Sequence, residues 1–223
     1  MGKSNIFDLL GPIMVGPSSS HTAGAVRLGV MARKILGEEP VGGTITLHGS
    51  FATTGKGHGT NLALVAGLLG MAPDDERISE AATIAKERGL NVIFTTADLG
   101  DVHPNSVKFD LLGRNGCHVQ VLGSSIGGGS IVIREINDFQ VEIRGGYPTL
   151  VILQQDLSGV VAQVTLLLAT AQINIARMLV SREKKGAQAL MVLETDQKID
   201  EALLDLLRKL PRIYQAMAIE PLE

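Results

Sequence analysis

The chain has 223 residues, of which 45% are hydrophobic and 19% charged, and its formal net charge is −3. A chain of this length is long for one compact domain and comfortable for two. The even charge balance argues against a nucleic-acid-binding protein, which usually carries a basic excess. Since the chain has no Trp and only 3% aromatic residues, we expect no platform for base stacking either.

The most apolar stretch, Val160–Val180, is interrupted by polar residues that include Gln163, Thr170 and Asn174. Because a membrane-spanning helix needs about 20 mainly apolar residues, we expect no membrane span. Met1–Leu10 lacks the apolar core of a signal peptide. These patterns predict a protein that is neither exported nor embedded in a membrane.

Cys117 is the only cysteine. A single cysteine excludes a disulfide framework within one chain, and it excludes an iron–sulfur or structural zinc site built from this chain's own thiolates. We therefore expect a cytoplasmic protein that binds no metal by itself. The alternating stretch Cys117–Leu122 predicts a strand in which the thiol is buried and inert.

The first part of the chain, residues 1–145, predicts an α+β domain in which helices pack against a mainly antiparallel sheet. Its predicted helices, each followed by a glycine that can end it, are Thr22–Leu36, Thr60–Leu69 and Ser79–Arg88. Its predicted strands are Thr44–Leu47, Asn91–Thr96, Ser106–Leu112, Cys117–Leu122, Ser130–Ile136 and Phe139–Ile143.

The second part, residues 147–223, predicts the order βαββαβ, which is the ferredoxin-like arrangement. Its predicted strands are Leu150–Gln154, Ile175–Ser181, Ala187–Glu194 and Ile213–Ile219. The two predicted helices begin after the N-caps Ser158 and Asp200, and Pro211 ends the second helix. We expect this module to bind a small molecule or to pair with a copy of itself rather than to catalyse.

The first candidate loop, residues 16–22, runs directly into a predicted helix. A helix start offers unpaired backbone N–H groups and the positive end of the helix dipole, which suit an anion. The loop adds hydroxyl groups and one imidazole, from Ser18, Ser19, Ser20, Thr22 and His21. An N-cap with a surface histidine is the alternative interpretation, but capping uses only one or two hydroxyls, so the cluster favours a site.

The second candidate loop, Thr53–Asn61, is predicted to follow a strand and to open a helix, and its alternating glycines allow the backbone to approach a ligand. The spacing matches neither the Walker pattern nor the dinucleotide fingerprint. We predict a small carboxylate or phosphate near Lys56, Gly57 and the helix start at Thr60. The alternative is a flexible loop whose glycines serve only its turns.

Each of these two loops places a histidine at a helix N-terminus, which disfavours the imidazolium form and leaves a neutral base. His58, flanked by two glycines, is the preferred base because it is unshielded. His48 and His118 lie in strand-like stretches and are predicted to be structural, and His103 is predicted to lie in a turn.

The third loop, Gly123–Ser130, is rich in glycine and serine. An anion-binding nest and a plain connection between strands explain it equally well. Gly123–Gly127 also fits the Gly-x-Ser-x-Gly pattern of hydrolases, but that elbow needs a helix after it, whereas a strand is predicted from Ser130. We therefore give a serine hydrolase little weight.

Together these loops and the His103–Asn105 turn resemble the beta chain of the bacterial iron–sulfur-dependent L-serine dehydratase, over essentially the whole chain. Residues 147–223 resemble an ACT domain, a regulatory module that often senses amino acids. The first domain is also similar to the extra anion-binding domain of some phosphoglycerate dehydrogenases.

The resemblance implies a lyase that converts L-serine to pyruvate and ammonia. In that family a [4Fe-4S] cluster acts as Lewis acid on the β-hydroxyl of serine while a base removes the α-proton. The cluster would be held by a cluster-bearing alpha subunit, because Cys117 alone cannot hold it. This chain would then be inactive alone and would contribute loops to a shared site.

On this basis His58 and His21 are predicted to be catalytic. The predicted substrate-binding residues are Ser18, Ser19, Ser20, Thr22, Lys56, Gly57 and Thr60. A competing possibility is that these loops bind serine only as an effector, away from the cluster.

The ACT domain is predicted to form a homodimer and to bind an amino acid or an ion between its copies. The predicted ligand residues are Asp156, Gly159 and Val160 of one copy with Asn174 and Ile175 of the other. Alternatively, Asp156, Ser158 and Asn174 only cap elements and the module only dimerises.

Two further function classes remain open at this point. One is a stand-alone amino-acid-binding regulatory protein, and the other is a detached regulatory part of a serine-pathway dehydrogenase. The missing nucleotide fingerprint argues against redox chemistry by this chain itself.

Overall fold

The computed structural model describes Met14, residues 18–55, Gly57 and residues 59–222. The chain divides into two compact units, residues 1–137 and 138–223; the domain limits expected above, 1–145 and 147–223, stay predictions. The α-helices are α1 (Gly24–Leu36), α2 (Gly49–Thr54), α3 (Thr60–Leu68), α4 (Ala81–Glu87), α5 (Val160–Thr170) and α6 (Glu201–Arg208). None of the helices in the described ranges is long and apolar enough to cross a membrane.

The strands of the first unit are β1 (Pro40–Leu47), β2 (Asn91–Thr96), β3 (Ser106–Gly113), β4 (His118–Gly127) and β5 (Ser130–Ile136). They lie in the order β2-β1-β3-β4-β5. β1 and β2 pair in parallel, which the long connection through α2, α3 and α4 allows, and the other pairs are antiparallel. The predicted α+β class with a mainly antiparallel sheet is confirmed.

Helix α1 packs on this sheet and α3 packs on α1, and the crossing of the two helices depends on a pair of glycines. A Cβ on Gly67 would lie 2.1 Å from the Val26 carbonyl oxygen and 2.8 Å from the Gly29 Cα. A Cβ on Gly29 would lie 2.4 Å from the Leu64 carbonyl oxygen. Since Cβ atoms essentially never come this close to backbone atoms, only glycine permits this approach.

The glycines predicted to end helices do so. α1 ends at Gly37, whose φ of 76° is left-handed and whose N–H donates to the Arg33 carbonyl. Gly70 and Gly89, after α3 and α4, also have positive φ values, of 83° and 75°. A 3₁₀ turn, Glu76–Glu80, precedes α4.

The prediction of a loop at Gly123–Ser130 is wrong, because β4 continues to Gly127 and only two residues separate it from β5. The small residues of this segment lie under α1 instead. A Cβ on Gly123 would lie 2.7 Å from the Leu28 Cδ2, and one on Gly24 would lie 2.1 Å from the Ser125 Oγ. The small residues of this segment therefore allow close packing between helix and sheet.

The prediction of a buried Cys117 in a strand is also wrong. Cys117 is exposed and precedes β4, in the turn that joins β3 to β4. The Glu38 carboxylate accepts hydrogen bonds from the N–H groups of Asn115, at 3.0 Å, and Cys117, at 2.9 Å, which bends the chain away from a strand. Desolvation and the nearby Glu38 raise the pKa of the thiol, so this cysteine is not an activated nucleophile.

The second unit contains β6 (Phe139–Ile143), β7 (Thr149–Gln155), β8 (Ile175–Arg182), β9 (Gln188–Thr195) and β10 (Ile213–Ile219). Four of these form an antiparallel sheet in the order β10-β7-β9-β8. Leu residues of α6 and the apolar positions of α5 pack on the inner residues of β7 and β9. The predicted βαββαβ, ferredoxin-like arrangement is confirmed.

The two helix starts of this unit differ. Asp200 is the N-cap of α6 as predicted, since its Oδ1 accepts from the Leu203 N–H at 2.8 Å. Ser158 is not the N-cap of α5. That position is taken by Gly159, whose φ of 91° reverses the chain without any side-chain cap.

Strand β6 is tied to β8 by side chains. Glu142 lies 2.9 Å from the Arg177 guanidinium and 3.1 Å from that of Arg144. These two arginines, with Arg177 first, hold the pKa of Glu142 at about 2. Ser181 Oγ also donates to the Gln140 carbonyl.

Candidate functional site

The first candidate loop forms a π-helical turn, Ser19–Ala23, that continues into α1. Ser18 caps this turn, because its Oγ accepts from the His21 N–H at 3.1 Å. Ser19 and Ser20 are half-buried in the turn, whereas Thr22 is 4% exposed. π-helical turns are rare and often occur at functional sites.

The imidazole of His21 faces helix α2. Its Nε2 lies 3.0 Å from Thr54 Oγ1 and 3.2 Å from Ser50 Oγ. Its Nδ1 lies 3.5 Å from Ser18 Oγ, and its ring stands edge-on to Phe51 with ring centroids 5.3 Å apart. The ring is therefore fixed on two sides by residues from two separate segments.

Helix α2 was not predicted from the sequence, and it corrects the expectation that the second loop follows a strand directly. Phe51, which has no exposed surface, anchors α2 in the core. Ser50 and Thr54 stand on the helix face beside His21. No local sequence pattern indicates this helix, but its hydroxyls provide contacts for the histidine that the sequence had singled out.

Backbone contacts from distant segments hold the start of α2. The Ser50 N–H donates to the Pro104 carbonyl at 2.8 Å, and the His48 N–H donates to the Ser106 carbonyl at 3.1 Å. His48 Nδ1 accepts from the Leu99 N–H at 3.1 Å, in keeping with its predicted structural role. His103 lies in a turn before β3, as predicted, and its Nδ1 accepts from the Asn105 N–H at 3.1 Å.

The second candidate loop leads into α3. Lys56 and His58 lie outside the described residues, and their predicted roles stay predictions. Gly57 is exposed. The N-cap of α3 is Gly59, which has a φ of 70° and no side chain to satisfy the first N–H groups. The first of these groups, the Thr60 N–H, donates to the Gly55 carbonyl at 2.9 Å, and the binding of an anion at this helix start stays a prediction.

Buried hydroxyl groups lie on the elements around the His21 turn. Thr22 Oγ1, Thr60 Oγ1 and Ser125 Oγ have no hydrogen-bond partner among the described residues, and all three residues are at most 4% exposed. The His21 turn contacts both α3 and β4, which carry Thr60 and Ser125. Buried polar groups are normally satisfied by protein, water or ligand, so this interior is suited to a polar molecule.

One basic residue here was missed by the sequence analysis. Arg27 of α1 donates from Nη1 to the Gly129 carbonyl at 3.1 Å, and burial lowers the pKa of its guanidinium. Its place on α1, directly after the His21 turn, is the sequence signal that could have drawn attention to it.

In the ferredoxin-like unit the predicted ligand residues are split between two places. Asp156 Oδ2 accepts from the Gly186 N–H at 3.1 Å and lies 3.4 Å from Arg182 Nη1, beside the β8–β9 turn. Asn174 Nδ2 donates to Asp196 Oδ2 at 2.7 Å, at the other end of β8. Eight strand residues span roughly 25 Å, so one copy cannot bring both side chains to one ligand.

The remaining residues of this predicted site follow the same division. Gly159 and Val160 form the start of α5, near Asp156, and Ile175 is the first residue of β8, beside Asn174. Gln154, which was not predicted, is 2% exposed, and its Oε1 has no partner among the described residues. It precedes Asp156 by two residues and adds a buried acceptor at that end.

The residues of this chain do not fit an iron–sulfur cluster. Such a cluster is usually held by four cysteine thiolates, whereas the chain has one cysteine. Among the described residues no group of three or more His, Cys, Asp and Glu side chains could hold a metal ion.

Comparison with known proteins identifies both units. Residues 5–136 match the family model described as serine dehydratase beta chain. The chain belongs to the serine dehydratase beta chain family. Residues 149–212 match the model of the ACT domain, which agrees with the ferredoxin-like fold.

Relatives of this beta chain match it over almost its full length. It is 44% identical to the probable L-serine dehydratase, beta chain, of Bacillus subtilis, over 98% of this chain and 99% of the relative. It is 43% identical to the L-serine dehydratase, beta chain, of Peptoniphilus asaccharolyticus, over 99% of this chain and 100% of the relative. A D-3-phosphoglycerate dehydrogenase of Synechocystis is 28% identical over 88% of this chain but only 35% of its own length.

Proposed function

We propose that this chain is the non-cluster subunit of an L-serine dehydratase, which converts L-serine to pyruvate and ammonia. The match to two serine dehydratase beta chains along almost the entire length of both partners carries this proposal. The alternative of a detached dehydrogenase segment is less well supported, because the dehydrogenase match is weaker and covers about a third of that enzyme.

The reaction removes the α-proton and the β-hydroxyl of serine as water, and the resulting enamine takes up water and releases ammonia to give pyruvate. A cluster-bearing alpha subunit would have to provide the [4Fe-4S] cluster, because this chain has too few thiolates. This chain supplies the groups that bind substrate and move protons.

Within this proposal the substrate carboxylate binds at the start of α3, with Lys56, Gly57 and Thr60, and at the serine turn of Ser18–Thr22. His58 takes the α-proton, and His21 takes part in proton transfer as the second catalytic residue. The unsatisfied buried hydroxyls of Thr22 and Thr60 support a polar ligand here. The single cysteine also fits the cytoplasmic location expected from the sequence.

Reconstitution tests this function. Pyruvate should form from L-serine when the chain is purified anaerobically together with its cysteine-rich alpha partner, and the complex should be brown. Each chain alone should give none. Activity of this chain alone, or an inactive complex with a full complement of iron, would contradict the proposal.

For the ACT domain we propose an amino-acid site shared by two copies, with Asp156, Gly159 and Val160 of one copy and Asn174 and Ile175 of the other. The separation of Asp156 and Asn174 along β8 supports sharing. Their hydrogen bonds to Gly186 and Asp196 support the alternative that both are structural and that the domain only dimerises.

Calorimetry of the full chain with L-serine distinguishes these alternatives. We expect binding heat that falls in Asn174→Ala and is kept in the control His118→Gln, whose side chain lies on the exposed face of the first unit's sheet. Sedimentation of both variants checks that they still dimerise. Equal heats in the wild type and in Asn174→Ala, or no heat from either, would favour dimerisation alone.

A further inference from the structure

The Thr54 hydroxyl contacts both the Ser50 carbonyl oxygen and the His21 ring. Thr54 Oγ1 lies 2.8 Å from the Ser50 carbonyl oxygen, to which it donates, in the bond that threonine commonly makes to the carbonyl four residues earlier in a helix. A hydroxyl has one hydrogen and two lone pairs. Because its hydrogen is used in this bond, Thr54 Oγ1 can only accept from the His21 ring.

His21 Nε2 lies 3.0 Å from that oxygen. A bare Nε2 would place two lone pairs opposite each other at this distance, which is repulsive. A protonated Nε2 donates to Thr54 Oγ1 and, at 3.2 Å, also points towards Ser50 Oγ. Since a neutral imidazole carries one N–H, the other nitrogen, Nδ1, then holds the lone pair.

The opposite tautomer fits the contacts less well. Nε2 would then accept from Ser50 but face the Thr54 lone pair. Ser50 can donate or accept in either case, so Thr54 is the residue that discriminates between the tautomers.

We propose that Thr54 is a positioning residue that fixes neutral His21 as its Nε2–H tautomer, so that any proton His21 takes up arrives at Nδ1. The part that this plays in serine dehydration rests on the proposed function, whereas the tautomer rests only on the contacts of this chain. In histidines the hydrogen bond made by one ring nitrogen commonly decides whether the other nitrogen is protonated.

Nitrogen NMR of the full chain labelled with ¹⁵N-histidine tests the tautomer directly. The spectrum is recorded at a pH where the ring is neutral, and the His21 signals are assigned as those missing from His21→Gln. We expect a protonated Nε2 and a bare Nδ1. A protonated Nδ1 would overturn the proposal, whatever the activity of the enzyme.

The sign of a pKa change gives a second test. An Nε2–H that donates to Thr54 makes a stronger bond when the ring is charged, so Thr54→Val should lower the pKa of His21, by roughly half a unit to one unit. If Thr54 instead donated its O–H to a bare Nε2, it would stabilise the neutral ring, and the same change would raise that pKa. Thr54→Ser, which keeps the hydroxyl, should restore the wild-type value.

Thr53→Val is the matched control. Thr53 is an exposed neighbour on α2 whose Oγ1 donates to the Gly49 carbonyl at 3.2 Å and does not contact His21. We expect it to leave the His21 titration unchanged. An equal shift in Thr53→Val and Thr54→Val, or a rise in Thr54→Val, would overturn the proposal.

In the two-chain enzyme the acid limb of the kcat/KM profile should move to lower pH in Thr54→Val, together with the titration of His21. This result separates the two proposals. If NMR shows the Nε2–H tautomer but Thr54→Val leaves the pH profile unchanged, the tautomer proposal stands. His21 would then have no part in the chemistry.

Discussion

Replacing Gly67 by alanine is expected to destabilise the first unit by about 3 kcal/mol or more, at the upper end of the cost of overpacking. The new Cβ would lie 2.1 Å from the Val26 carbonyl oxygen and 2.8 Å from the Gly29 Cα. Both are backbone atoms of α1, so no side chain can rotate away, and the helices must separate. The helix propensity that alanine gains, about 1 kcal/mol, offsets only part of this cost.

Hydrogen exchange of the α1 and α3 amides in increasing urea measures this effect within the first unit. Gly146→Ala is the control, because a Cβ there has no atom within 4 Å and its φ is not positive. Gly29→Ala should lower the free energy of unfolding less when it is added to Gly67→Ala than when it is made alone, since the helices have already moved apart. A Gly67→Ala protein as stable as Gly146→Ala would show that the crossing tolerates a methyl group.

Replacing His21 by glutamine is expected to lower the kcat of the reconstituted two-chain enzyme roughly 10²- to 10⁴-fold, the usual contribution of a positioned proton-transfer group. Glutamine keeps a polar side chain beside Ser50 and Thr54 but cannot take up a proton. The circular dichroism spectrum and the binding of the alpha subunit should not change.

His118→Gln is the control for this experiment. Its Nε2 lies 2.6 Å from Asp110 on the exposed face of the sheet, and the variant should retain normal turnover. His58→Gln should lose at least as much kcat as His21→Gln if His58 is the base. Normal kcat with a changed serine activation curve in both loop variants would instead indicate that the loops bind an effector.

Elements whose signals lie within a few residues were predicted well from the sequence. α1 ends at Gly37 because only a residue that tolerates positive φ can close the helix there. α6 begins at Asp200 because that carboxylate reaches a backbone N–H three residues ahead. In the second unit such signals follow one another closely, and the βαββαβ order was predictable from them.

Elements that depend on distant contacts were not predictable. α2 has six residues and no side-chain cap, so it shows neither periodicity nor a start signal. Its backbone is held by Pro104 and Ser106, more than 50 residues away. The glycines and serines of β4 suggest a loop when read alone, and only the closeness of α1 shows that they serve packing.

The sequence predicted the turn that carries His21 but not the side chains that contact the His21 ring. The serine-rich turn indicated His21, because hydroxyls and a histidine at a helix start are typical of a site. Ser50 and Thr54 are 29 and 33 residues from His21 in sequence. They lie on the helix that was missed, so the hydroxyls that contact the His21 ring could not be inferred.

The separation of Asp156 and Asn174 at opposite ends of β8 has a consequence for the proposed ACT-domain site. A ligand that must touch both residues binds only where two chains meet, so its apparent affinity falls as the protein is diluted, and the bound ligand in turn holds the pair together. The ACT domain would then report the amount of enzyme as well as the amount of amino acid. In a cell that makes more of the subunit, the same concentration of effector would then occupy a larger fraction of the ACT domains.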